Sequence, residues 1–143
     1  MKPILDGETL TFLKEHDLGV LSTIDRTGNI HGAVVYYIVG EGDKLYILTK
    51  SETQKAHNIL AHNQLALTVY DANTLQTVQL NGEGEIEADQ SIKAKVFMEI
   101  VKPRRYGNDS EELLPPVTTL HEGGYTIFRI TPIEARFVDY KQR

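Results

Sequence analysis

Residues 48–55 combine hydroxyl and ammonium groups in a pattern that suits a bound phosphate. The segment reads Leu-Thr-Lys-Ser-Glu-Thr-Gln-Lys, and its candidate anion-binding side chains are Thr49, Lys50, Ser51, Thr53 and Lys55. A helix beginning here would add the backbone amides of its first turn, and its dipole would favour negative charge. An ordinary capped surface helix with two solvated lysines has the same pattern, so spacing alone leaves both interpretations open.

The elements around this segment place it where a strand ends and a helix begins. Residues 44–49 are typical of a strand, and Ser51-Glu52-Thr53-Gln54 has the form of a capping box. That motif predicts Ser51 as the N-cap, with the Gln54 side chain reaching back from the third helical position. Ala56, Ile59 and Leu60 then predict the buried face of the helix.

The rest of the chain predicts a closed antiparallel β-barrel with helical covers. Runs of β-branched and aromatic residues between short polar turns predict strands at 20–24, 30–39, 44–49, 65–70, 74–87, 125–130 and 134–140. We expect a bulge at Asn81–Gly84 within the long fifth strand. Further helices are predicted at 9–16 and between Asp89 and Pro103, the latter with Ala94, Phe97, Met98 and Val101 on its apolar face. The strands do not alternate regularly with helices, which disfavours a parallel sheet.

Composition narrows the possible functions. The formal net charge of −5 argues against a nucleic-acid or anionic-membrane surface. The absence of cysteine excludes disulfides and thiolate ligands, and His57 and His62 are spaced five apart, which does not suit a shared metal. The start of the chain carries no apolar leader and no stretch is long enough to span a membrane, so a cytoplasmic location is expected.

The order and spacing of several segments resemble the pyridoxamine 5′-phosphate oxidase-like FMN-binding split barrels, which include general stress proteins and flavin reductase-like proteins. The resemblance covers nearly the whole chain. Its segments are Val20–Asp25 with Gly28, Ile30–Tyr37, Leu45–Thr49, the phosphate segment with Lys55, Asn58 and Ile59, Val78–Gly82, and Phe128–Pro132.

The resemblance implies one domain, residues 1–143, with a mainly β (α+β) fold. This would be an antiparallel split β-barrel of six to seven strands with two or three short covering helices. It also implies a homodimer with FMN at the subunit interface and a small-molecule substrate. The flavin ring would face the backbone of Ala33, Val34, Val35 and Tyr36 together with Leu48 and Thr49, and Lys55 would hold the phosphate. Thr77 or Gln79 of the long strand would reach the cofactor.

Departures from the family pattern at three single positions and in the C-terminal segment matter for activity. The oxidases proper carry Arg, Lys and Arg where Gly32, Tyr37 and Gln54 stand here, and the residues that bind substrate phosphate have no counterpart in Glu134–Arg143. The resemblance therefore implies an FMN-dependent oxidoreductase other than a true pyridoxamine 5′-phosphate oxidase, with the loop Arg104–Glu122 at the pocket mouth. The alternatives are the same fold binding a deazaflavin coenzyme or haem, and a non-catalytic flavin-binding stress-response protein.

Overall fold

The computed structural model describes residues 3–103 and 124–142. Within them the chain forms three α-helices and six β-strands, in the order α1 (Gly7–Glu15), β1 (Leu18–Ile24), β2 (Ile30–Val39), β3 (Leu45–Lys50), α2 (Gln54–Ala61), β4 (Gln64–Asp71), β5 (Gln76–Ile86), α3 (Gln90–Ile100) and β6 (Tyr125–Asp139). The predicted loop Arg104–Glu122 lies outside the described residues.

The six strands close into one barrel in the order β1-β2-β3-β6-β5-β4, with every neighbouring pair antiparallel. This confirms the predicted mainly β, antiparallel barrel with covering helices. Closure gives every strand a neighbour on both sides for at least part of its length, which is one way that β-proteins limit edge-to-edge association. Residues 3–103 and 124–142 contain no helix that is long and apolar enough to cross a membrane.

The two final strands predicted from the sequence are one continuous strand, so that prediction was wrong. Pro132 lies inside β6, opposite Gly82, where the register between β5 and β6 shifts. Asn81 pairs with Glu134 and Gly82 with Pro132, so the extra residue is Ile133 of β6. A bulge tolerates a proline because the ladder is already interrupted there.

The predicted irregularity at Asn81–Gly84 is therefore present, but the inserted residue belongs to the partner strand. Gly82 is required at this point because a Cβ would clash with the Thr131 carbonyl oxygen. The close approach of the two backbones accounts for a glycine inside a long strand.

Apolar side chains from alternate strand positions fill the barrel, and a second, smaller core lies outside it beneath α3. The second core consists of Tyr46, Leu48, Val96, Ile100 and Ile127. The predicted apolar face of α3 was wrong, because Phe97 and Met98 are exposed whereas Val96 and Ile100 are buried. The buried residues follow i, i+4 spacing, one helical position away from the predicted stripe.

The separation of β2 from β3 positions the site. The two strands pair only at Tyr37–Val39 with Leu45–Ile47. Beyond these three pairs β2 stays paired with β1 and β3 with β6, so the strands diverge. Residues 33–36 and 48–50 therefore present strand edges to a gap in the barrel wall.

Candidate functional site

A cleft of about 350 Å³ occupies the gap between β2 and β3. Its lining residues are Leu18, Val34, Val35, Tyr36, Leu48, Thr49, Lys50, Thr53, Lys55 and Ile100. Eight of the twelve residues predicted from the sequence are in this set. Apolar and aromatic side chains form one part of the wall, and the two lysines with the start of α2 form the other, a division common in small-molecule sites.

The start of α2 differs from the predicted capping box. Thr53, rather than Ser51, is the N-cap, and its hydroxyl accepts from the Ala56 amide at 3.4 Å. The Gln54 side chain donates forward to Asn58 at 2.7 Å instead of reaching back. The N-cap is thus two residues further along the chain than the capping box predicts, and the helix begins correspondingly later.

The Thr49 and Thr53 hydroxyls hold the turn together. Their oxygens lie 2.9 Å apart, and Thr53 also donates to the Lys50 carbonyl oxygen at 2.9 Å. Both hydroxyl protons are therefore used within the turn. The amides of Gln54 and Lys55 have no acceptor within the helix, because they belong to its first turn. The donors available to an anion are thus backbone amides and the Lys55 ammonium group.

Lys55 is the cation that the fold partly withdraws from water. Burial lowers the pKa of its ammonium group. Among the described residues no carboxylate lies within ion-pair distance of it, since the ion pairs there involve other groups. A half-buried cation that lacks a protein counter-ion is stabilised when an anion binds beside it.

Lys50 and Ser51, the remaining cation and hydroxyl of the predicted anion site, contact other side chains of the protein. The Lys50 ammonium group lies 4.7 Å from the centre of the Tyr125 ring, within the range of a cation–π interaction. The Ser51 hydroxyl is 2.7 Å from the Thr126 hydroxyl, and its amide donates to Gly124. Ser51 does not line the cleft, and it fastens the turn to β6.

Three further predicted residues lie outside the cleft of their own chain. Ala33 pairs with Leu21 on β2, next to the cleft wall. Gln79 is exposed on the outer face of β5, where its side-chain oxygen accepts from Arg136 at 3.1 Å. Thr77, two residues earlier, is only 5% exposed, and its hydroxyl finds no hydrogen-bond partner within the described structure.

Sequence reasoning missed two cleft residues, Leu18 and Ile100. Leu18 precedes the predicted start of β1, and Ile100 lies on the face of α3 that was assigned wrongly. A helical period started from Ile92 would have found Val96 and Ile100.

A family model described as "Pyridoxamine 5′-phosphate oxidase" matches residues 5–139. The chain belongs to this family. A search of curated proteins finds no match.

Solved structures share the family's fold at low identity. General Stress Protein 26 of Bacillus anthracis is 21% identical with a TM-score of 0.66, and the match covers 92% of each chain. A pyridoxamine 5′-phosphate oxidase-related, FMN binding protein of Nostoc punctiforme is 13% identical with a TM-score of 0.59, covering 94% of this chain and 79% of that one. An F420 reductase is 18% identical with a TM-score of 0.64, covering 88% and 94%. At these identities the likeness shows the fold alone.

Proposed function

We propose that this protein is an FMN-binding oxidoreductase that transfers electrons or hydride to or from a small molecule. The observation that supports it best is the half-buried Lys55 beside the first turn of α2, at the polar end of a cleft whose remaining wall is apolar and aromatic. The cofactor, when bound, supplies the electron or hydride transfer, as flavins do in general. Family membership and the FMN-binding relative from Nostoc are consistent with this ligand.

The residues present fit a flavin phosphate and ring. Lys55 and the amides of Gln54 and Lys55 would hold the phosphate. Val34, Tyr36 and Leu48 would provide the wall for a flat ring, with the unpaired edge of β2 alongside. These side chains would orient and desolvate the ligand.

The position of Tyr37 argues against true pyridoxamine 5′-phosphate oxidase activity. Its side chain is fully buried, and its hydroxyl donates to the Leu13 carbonyl oxygen at 2.8 Å. At the position where the oxidases proper have a lysine, this chain thus has a tyrosine that is buried in the core beneath α1.

The barrel surface supports the proposal of a composite site in a homodimer. The outward residues of β1, β2 and β4 are uncharged over three strands: Leu18, Val20, Ser22, Ile24, Ile30, Gly32, Val34, Tyr36, Ile38, Gln64, Ala66, Thr68 and Tyr70. Ile30 and Val34 are 77% and 66% exposed. Large uncharged apolar faces on soluble proteins usually mark an interface, and we propose that a second copy covers this one.

The test is a binding titration of purified protein with FMN, with heat-released chromophore identified by mass. Lys55→Ala should weaken FMN binding by about 1.5–3 kcal/mol, the value of a charge-assisted hydrogen bond. Lys14→Ala, on the exposed face of α1, is the matched control and should leave affinity unchanged. Wild-type protein that ignores added FMN would overturn the proposal.

The same titration, repeated with coenzyme F420, distinguishes FMN binding from the deazaflavin alternative. Loss of the arginines at the positions of Gly32 and Gln54, together with the F420 reductase among the similar structures, favours it as the second candidate. Binding of coenzyme F420 without binding of FMN would establish it.

A further inference from the structure

We propose that Asn58 is a positioning residue for the anion site, because it fixes the orientation of α2 in which Lys55 and the first-turn amides face the cleft. This inference rests on the proposed function, and it concerns a side chain that does not itself line the cleft. It follows from the hydrogen bonds that join Asn58 to Gln54 within α2 and to Thr23 on β1.

Asn58 is a polar residue on the buried face of α2. It is only 2% exposed, and its neighbours on that face, Ala56 and Ile59, belong to the apolar core of the barrel. A carboxamide in such surroundings costs free energy unless both its oxygen and its nitrogen are hydrogen-bonded. The Oδ1 atom accepts from Gln54 at 2.7 Å, and Nδ2 donates to the Thr23 hydroxyl at 3.0 Å. A rotation of the helix that broke these bonds would leave both groups buried and unpaired.

Thr23 gives this contact a fixed point in the barrel wall. Its side chain is 1% exposed, and β1 pairs with β2 along its whole length and with β4 at Val20–Ser22. At the other end of α2 the Gly84 amide donates to the Asn63 carbonyl oxygen at 2.8 Å. The end of the helix is therefore held by β5, and its first turns are held by β1 through Asn58.

Helix geometry relates Asn58 to the cleft. Gln54 and Asn58 are four residues apart and lie on one face, whereas Lys55 follows Gln54 by about 100° around the helix axis. The face that carries Asn58 meets the barrel at Thr23, and Lys55 lines the cleft beside it. A rotation of α2 would carry both the first-turn amides and the ammonium group of Lys55, at the end of its long side chain, away from the cleft. The hydrogen bonds of Asn58 therefore keep these donors directed at one place.

Gln54 belongs to this network rather than to the cleft wall. Its side chain does not line the cleft, and its nitrogen donates to Asn58. The position where the oxidases proper have an arginine thus holds the helix in place here instead of offering a cation to the ligand.

The pKa of Lys55 in the free protein tests this positioning without any ligand. Burial is what lowers the pKa below 10.5, so the pKa reports how far the cleft withdraws the ammonium group from water. Asn58→Leu keeps the approximate size of the side chain and removes both hydrogen bonds. We expect it to raise the Lys55 pKa towards 10.5, because Lys55 moves into solvent. The measurement is an NMR titration of the Lys55 Cε resonance, assigned by its absence from Lys55→Arg.

Gln54→Met tests the same network at an exposed residue, so that folding is not in question. It removes the donor to Asn58 and should shift the Lys55 pKa in the same direction. Gln90→Met is the matched control, because Gln90 is the exposed first residue of α3 as Gln54 is of α2, and it should leave the pKa unchanged. A wild-type Lys55 pKa in folded Asn58→Leu, or in Gln54→Met if that protein does not fold, would overturn the positioning role.

Affinities for FMN and for riboflavin, which lacks the phosphate, measure the consequence for the ligand. We expect Asn58→Leu to weaken FMN binding by up to the roughly tenfold to hundredfold expected for Lys55→Ala, and to leave riboflavin affinity unchanged. Thr23→Ser retains the hydroxyl that pairs with Asn58 and should bind FMN like wild type. An equal loss for both ligands, or no loss for either, contradicts the assignment. Failure of wild-type protein to bind FMN would instead overturn the proposed function, and the Lys55 titration would still decide the role of Asn58.

Discussion

At the scale of single residues, hydrogen bonding and burial decide which side chains of the site can donate to an anion. Thr49 and Thr53 carry hydroxyls that could bind an anion, yet the fold uses their protons to close the turn before α2. Lys55 is left as the side-chain donor, and burial lowers the pKa of its ammonium group. The charge of Lys55 in the free protein is therefore more sensitive to alkaline pH than that of a solvated lysine.

The pH dependence of FMN affinity should reveal this shift. Affinity should be constant from near neutrality and then fall as the pH rises through the Lys55 pKa, which lies below its ordinary value of 10.5 in the free protein. Lys55→Arg should remove the fall, since a guanidinium stays protonated there. Dissociation constants measured from pH 7 to 10 check this, with riboflavin as the ligand that lacks phosphate. An identical fall for both ligands and both proteins would contradict it.

At the scale of elements, α1 is fastened to the end of the barrel by His16. Its Nδ1 lies 2.7 Å from the Phe12 carbonyl oxygen and its Nε2 lies 2.8 Å from a carboxylate oxygen of Asp71. Both partners are acceptors, so the imidazolium, which carries a proton on each ring nitrogen, is the form that can donate to both. Burial opposes this charge, but the bonds to Phe12 and Asp71 and the nearby Glu15 carboxylate raise the His16 pKa overall. The hydrogen bond from His16 is the largest effect that lowers the Asp71 pKa.

This contact should make the stability of the protein depend on pH. The raised His16 pKa contributes stability that is complete below pH 6.5 and is lost as the pH rises through the folded-state value. The lowered Asp71 pKa contributes stability that is complete above pH 3.8 and is lost at more acidic pH. The contact is therefore strongest between these values.

A double-mutant cycle of His16→Gln and Asp71→Asn measures the coupling. At pH 5.5 we expect a coupling of about 1 kcal/mol or less, because the pair is partly exposed. Repeated at pH 9, the cycle should give a coupling close to zero. A coupling that does not change between the two pH values would show that the imidazolium is not the stabilising form.

At the scale of the whole molecule, the barrel surface is divided between charged and uncharged faces. Val20 lies at the centre of the uncharged face and is 43% exposed, paired with Val34 on one side and Thr68 on the other. In the proposed dimer the Val20 side chain lies within the interface. A charge at this position would therefore be buried there.

Val20→Lys should consequently yield a monomer. An ammonium group buried in an uncharged interface without a counter-ion opposes association. The measurement is sedimentation equilibrium, together with a titration in which the monomer binds FMN more weakly because the composite site of the dimer is missing. Met98→Lys introduces the same charge on the exposed face of α3 and should remain dimeric. A dimeric Val20→Lys protein would place the interface elsewhere.

Local sequence patterns determined much of the fold and of the candidate site, and long-range packing decided the rest. Alternation in the strands and the polar turns between them predicted the barrel, and the residues of 48–55 predicted the end of the cleft near Lys55. These signals are local, because backbone conformation and the pattern of burial repeat every few residues. The helical cap at Thr53, the face of α3 and the continuity of β6 through Pro132 were not predicted, since each depends on contacts with distant strands.

Only the tertiary structure showed that β2 and β3 part after three pairs, that Leu18 and Ile100 complete the cleft, and that Gln79 and Arg136 lie outside it. Long-range pairing decides these points, because β3 pairs with β6 and β1 with β4, strands that are far apart in sequence.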